Sequence, residues 1–224
     1  MCPGPALCGR RPRSVSSSSN VMSLTAEPSL HRFTPRRALE TTAFGYEVIA
    51  SNRCLDDCIA TVQWIDCWCP DAAQFILVEA SSDLGAKNCQ DLVRSVDDSH
   101  LRHKIRLVCR AESLADEQLL AILHRHEIGF LLVSNNVSEL KPLAAKGILG
   151  VRADTKNANT AVARFHPRQL VRTAHDLGLR LIASQIQTSE DVGNLLAIGF
   201  DYVSQSDGGF VPTEPSFAWQ GRVV

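Results

Sequence analysis

Acids, amides, thiols and imidazoles are the side chains here that could do chemistry, and their spacing narrows what that chemistry is. Cys54, Cys58, Cys67 and Cys69 follow a C-x3-C-x8-C-x-C pattern. A zinc ribbon presents C-x2-C pairs, so buried thiols serving as small apolar side chains are the expected reading, with a metal site as the competing one. His124 and His126 stand two apart at the end of a predicted helix and so point to different faces. No G-x-S-x-G frames a nucleophilic serine, and Gly208-Gly209 is too little for a phosphate-cradling loop. A series of acids and amides at the ends of apolar runs is left: Glu47, Glu79, Asn135 with Asn136, Asp154 and Gln187. Carboxylates that converge from several strand ends offer the hard oxygen donors that divalent cations take. Each acid on its own is equally a solvated strand-end residue.

The elements that must position these groups alternate along the chain. Strands are expected at Gly45–Ala50, Phe75–Ala80, Ile105–Arg110, Gly129–Val133, Gly147–Ala153, Arg180–Ala183 and Phe200–Ser204, with an eighth through Leu30–Phe33. Several are nearly continuous apolar runs, the pattern of parallel strands covered on both faces. Helices are expected between them, at Arg53–Cys67, Lys87–Val96, Leu114–His126, Glu139–Ala145, Pro167–Leu177 and Ser189–Ile198. Ser113, Ser138 and Thr188 suit N-caps, and Gly178 suits the left-handed position after a helix. Repeated strand–helix units mean an α/β fold, either a short (β/α)8 barrel or a doubly wound sheet.

Composition excludes several classes of function. The formal net charge is −1, so no basic excess is present to bind nucleic acid. With 45% hydrophobic residues and no apolar run near membrane-spanning length, an ordinary globular domain is expected. Eight cysteines without a secretory h-region point to free thiols in a reducing cytoplasm. Residues 1–28 are turn-rich, basic and serine-rich, and are expected to form a disordered tail, with Met22 an alternative start. Arg10-Arg11 has no apolar segment behind it to make a twin-arginine signal. The folded domain is expected at 29–217, with a short tail at 218–224.

The strand tips resemble those of the EAL domain, the barrel that hydrolyses cyclic di-GMP. Gly45-Tyr-Glu-Val-Ile-Ala50 is similar to the family's Gly-Tyr-Glu-Ala-Leu, and Leu77-Val-Glu-Ala-Ser81 to its Val-Asn-Leu-Ser. Leu107-Val-Cys-Arg-Ala-Glu-Ser113 is similar to Leu-Glu-Ile-Thr-Glu-Ser, and Gly150-Val-Arg-Ala-Asp154 to Leu-Lys-Ile-Asp. Ala183-Ser-Gln-Ile-Gln-Thr188 is similar to Ala-Glu-Gly-Val-Glu-Thr, and Gly199-Phe-Asp-Tyr opens the last strand. The resemblance runs over about 30–215 and is closest in spacing over 147–212.

The resemblance implies an abbreviated (β/α)8 TIM-like barrel of EAL type. It also implies which ligand positions have changed. Glu47 matches a metal-binding glutamate, and Glu79 stands for an asparagine. Cys109 stands for a glutamate, and Asn135 and Asn136 for the paired aspartates. Arg152 replaces a lysine, Gln187 a glutamate and Ser204 a glutamine, while Glu112 matches a glutamate that supports a neighbouring loop. The glycine-rich segment after the paired aspartates is missing. So few carboxylates are a poor cradle for two Mg2+ ions. The implied reading is a catalytically inactive, cytoplasmic EAL-like regulator with no resident cofactor. It would act through a protein partner, with cyclic di-GMP as a further candidate ligand, and would use neither nucleic acid nor membrane. The alternative is a residual Mg2+-dependent cyclic di-GMP phosphodiesterase using Glu47 and Glu79. The identity of the partner and the oligomeric state are open.

Overall fold

A computed structural model gives the architecture, and it describes residues 29–35, 45–50, 52–68, 75–154, 166–186 and 188–206. Eight strands close into a barrel in chain order: β1 (Ser29–Pro35), β2 (Gly45–Ile49), β3 (Phe75–Glu79), β4 (Ile105–Cys109), β5 (Gly129–Val133), β6 (Gly150–Asp154), β7 (Arg180–Ile186) and β8 (Tyr202–Ser206). Strands β2 to β8 run parallel, whereas β1 is antiparallel to both of its neighbours, β2 and β8. The barrel reading therefore holds and the doubly wound sheet does not. Closure removes the exposed edges that an open sheet would leave.

Six helices are described, α1 (Leu55–Trp68), α2 (Cys89–Asp98), α3 (Glu117–Arg125), α4 (Val137–Ala144), α5 (Pro167–Asp176) and α6 (Ser189–Ile198). Thr188 caps α6, accepting from the Asp191 amide. Gly178 follows α5 at φ +72°, where glycine escapes the Cβ penalty of left-handed backbone. Two expected caps are displaced. Ser113 begins a short 3-10 turn, and the Asp116 carboxylate caps α3 by accepting from the Gln118 and Leu119 amides. A bond from the Ala86 amide, then those from Leu119 and Gln118, hold its carboxyl below the usual range. Asn136, two residues before Ser138, caps α4. In both cases a side chain nearer the true first turn reaches the unsatisfied amides. The expected strand at Gly147–Ala153 begins only at Gly150, because Gly147 has φ +83° and belongs to the turn.

Two apolar clusters follow from the pleat, which sends successive side chains to opposite faces. Leu77, Val108, Leu131 and Ile182 fill the lumen with Phe75, Val133 and Tyr202 against them. Ile76, Val78, Leu107, Leu132 and Val151 instead face the helices in the larger cluster. At the N-terminal end of the lumen, glycine alternates with bulk. A Cβ on Gly45 would enter the Phe75 ring, and one on Gly150 would lie 2.5 Å from the Arg180 carbonyl oxygen. Phe75 and Tyr202 meet edge to face at 5.2 Å. These contacts plug the lower barrel and leave its upper half to polar groups.

Cys109 lies with Cys58 and Cys89 in the outer cluster, fully buried. Burial pushes the Cys58 and Cys109 thiols up to about 12, and the Cys89 thiol is raised for the same reason. Neutral thiols therefore pack there as small apolar groups, as expected for Cys58. Cys69 lies outside the described residues. Thiolates in the unfolded chain form near the ordinary value of 9.0, so burial of these thiols stabilises the fold below that pH and the gain is lost as pH climbs toward 12. At pH 7, maleimide should modify exposed Cys67 within minutes and leave Cys58, Cys89 and Cys109 unmodified until denaturant is added. Peptide mapping of labelled protein checks this, and rapid native labelling of Cys109 would contradict its placement.

Candidate functional site

The polar upper lumen is organised by Arg152, whose side chain is 6% exposed. It rises from β6 and crosses to β2, on the opposite side of the barrel. Its Nε lies 2.5 Å from Glu47 Oε1 and donates to Ser184 Oγ at 2.8 Å. Its Nη1 donates to Glu79 Oε2 at 3.2 Å. Glu47 is 3% exposed and is satisfied from three strands. Ser184 Oγ on β7 donates to its Oε1 at 2.9 Å, and Ser204 Oγ on β8 to its Oε2 at 2.7 Å. A buried carboxylate demands such partners, since an unpaired charge in this setting is costly. Glu79 ends β3 at the mouth, where Arg110 Nη2 stands 3.7 Å from its Oε1.

The sequence-derived site residues divide into three groups. Glu47, Glu79, Arg152 and Ser204 converge as one hydrogen-bonded cluster. Cys109, Asn136 and Glu112 do not join it. Cys109 faces the helices, because the lumen position on β4 belongs to Val108. Asn136 Oδ1 accepts from the Ser138 amide, and its Nδ2 donates to Glu139 Oε1 at 3.0 Å. This cap turns Asn136 toward its own helix. Asn135 is half-buried at the same turn, and Glu112 is exposed before the 3-10 turn. Gln187 lies outside the described residues, as do the side chains of Asp154 and Gln205.

Ser184 and Arg110 belong to the cluster but are missing from the sequence-derived set. Both could be found from the period of two: Ser184 shares a face with Ile182, and Arg110 with Val108. His126 pairs with Asp97 at 2.6 Å, while His124 Nε2 lies 3.0 Å from the Lys146 carbonyl oxygen. The two imidazoles diverge, as their spacing requires.

The cluster does not fit a divalent cation. Mg2+ and Ca2+ take six or more oxygen ligands, mostly carboxylates, carbonyls and water. Here a guanidinium occupies the space between the two lumen carboxylates, and the nearby hydroxyls spend their protons on Glu47. Val108 contributes no donor. Among the described residues, no group of three or more His, Cys, Asp or Glu is placed to hold a metal ion. Among the described residues, no helix is long and apolar enough to cross a membrane.

Comparison with known proteins supports the fold at the level of structure. No family model and no curated protein matches the chain. The FimX EAL domain of Pseudomonas aeruginosa bound to cyclic di-GMP superposes with TM-score 0.58 at 10% identity, over 80% of this chain and 87% of that one. The EAL domain of Mycobacterium smegmatis DcpA gives 0.57 at 15% identity, over 80% and 90%. The Xanthomonas citri FimX EAL domain in complex with cyclic di-GMP gives 0.55 at 12% identity, over 80% and 85%. The barrel is thus of EAL type.

Removing the resident cation should expose the cost of burying Glu47. We expect Arg152→Met to lower unfolding free energy by about 3–5 kcal/mol, the cost of leaving one member of a buried pair. Adding Glu47→Gln should recover at least about 1 kcal/mol, because residues in direct contact do not act additively. Urea unfolding of both single variants and the double variant measures the coupling, and strictly additive effects would contradict the pairing.

Proposed function

We propose that this chain is a non-hydrolytic barrel of EAL type that regulates by binding rather than by chemistry. The observation that carries this reading is the Arg152 guanidinium lying between Glu47 and Glu79. Hydrolysis of a phosphodiester by paired metal ions needs a cradle of negative oxygens that clamps the attacking and leaving groups. In this chain the two lumen carboxylates are already engaged by a guanidinium, which cannot activate water. Val108 brings no donor, and Asn136 serves its helix. The retained barrel frame, with its polar mouth, supports a role in bacterial cyclic di-GMP-linked signalling in the cytoplasm. A regulatory protein partner would be the receiver, with cyclic di-GMP as the signal read at the mouth.

Residual phosphodiesterase activity is the competing reading, carried by the two carboxylates that still face the lumen. It requires Arg152 to leave the space between them. Purified protein incubated with cyclic di-GMP in Mg2+ or Mn2+, followed by chromatography of the nucleotides, separates the two. We expect cyclic di-GMP to be recovered intact in both metals at times when an active EAL domain has consumed it. Accumulation of the linear dinucleotide pGpG would overturn the reading.

A further inference from the structure

The barrel mouth holds two guanidinium groups and one loosely seated carboxylate. Arg152 is anchored from below by Glu47 and Ser184, so its position does not depend on Glu79. Arg110 is 62% exposed and reaches Glu79 from the residue that follows the neighbouring strand β4. Glu79 is 36% exposed. Its contacts measure 3.2 Å to Arg152 Nη1 and 3.7 Å to Arg110 Nη2. A well-formed guanidinium–carboxylate hydrogen bond is about 2.7–2.9 Å. Glu79 therefore sits between two cations at the wet end of the lumen, held by one long hydrogen bond to Arg152 and by a looser ion pair to Arg110.

We infer that Arg110 and Arg152 form an oxyanion subsite for a phosphate ester that needs no divalent metal, with Glu79 as its displaceable internal occupant. Two guanidinium forks, one just past the end of β4 and one on β6, can each pair with two oxygens of a tetrahedral phosphate. With Glu79 in place, the charges of Glu47, Glu79, Arg110 and Arg152 cancel. When Glu79 turns to solvent, the subsite gains one positive charge and two donors for an incoming oxygen. The Glu47–Arg152 pair remains whole throughout, so ligand entry leaves the buried charge below it paired. The inference rests on the binding role proposed above and specifies the contact by which an anion is held.

Calorimetric titration in EDTA tests it, with cyclic di-GMP and inorganic phosphate as separate probes. Wild type, Glu79→Gln and Arg110→Gln are compared after circular dichroism shows that each variant is folded. Glu79→Gln keeps the shape of the occupant and removes its charge. We expect it to bind about tenfold more tightly than wild type, as loss of one competing charge-assisted contact implies. Arg110→Gln should bind more weakly, and added salt should weaken every titration. Phosphate competing with cyclic di-GMP would mean that the subsite reads the anion. Saturation by cyclic di-GMP alone would mean that it reads the anion as part of an ester. Equal affinity of Glu79→Gln and wild type, binding only when Mg2+ is present, or silence from all three proteins would overturn the inference. None of those results by itself produces pGpG, so the non-hydrolytic reading would stand or fall separately.

Discussion

The contact between Arg152 and Glu47 is the constraint on which the rest of the upper barrel depends. A closed sheet leaves its lumen little water, so a charge there must be met by another charge or by several hydrogen bonds. Glu47 receives both kinds, from β6, β7 and β8. Since β2 and β6 lie on opposite sides of the barrel, the pair also ties together strands that make no backbone contact. A buried ion pair is weak evidence of net stabilisation, but it penalises any arrangement that separates its members. Its effect here is to favour one registration of the strand ends.

The lower lumen makes this arrangement possible. Gly45, Gly129 and Gly150 give room to Phe75, Arg106 and Arg180 on neighbouring strands, so the bottom closes with few large groups. Leu77, Val108, Leu131 and Ile182 then form an apolar floor beneath the polar cluster. That floor shields the Arg152–Glu47 pair from below, while Ser184 and Ser204 close it from the side. Glu79 and Arg110, one residue pair nearer the strand ends, are left at the boundary with solvent. The lumen thus grades from an apolar floor through an ionic hub to a wet mouth.

Much of the frame is legible in the sequence, and the reasons are local. The strand Gly129–Val133 is an apolar run opened by glycine, and the helix Ser189–Ile198 follows a threonine cap; both occur with the expected bounds. The features that escaped are set by distant or ambiguous information. Leu107, Val108 and Cys109 are all apolar, so a strand buried on both faces hides which of them looks inward, and a motif match there is free to slide by one residue. Such a slip exchanges the two faces. Asn136-Val-Ser-Glu139 is a capping-box pattern readable from sequence, and the likeness of Asn135-Asn136 to a pair of ligands competes with it. The reversed direction of β1 and the reach of Arg152 across the lumen depend on closure of the barrel, which no short window of sequence contains.

The most direct test of the central claim, that an arginine side chain holds the place of a cation in this barrel, is a crystal structure of the protein grown in Mn2+ and measured at the manganese absorption edge. The account predicts guanidinium density between Glu47 and Glu79 and no anomalous peak there. An anomalous peak bridging the two carboxylates, with Arg152 turned out of the lumen, would contradict it.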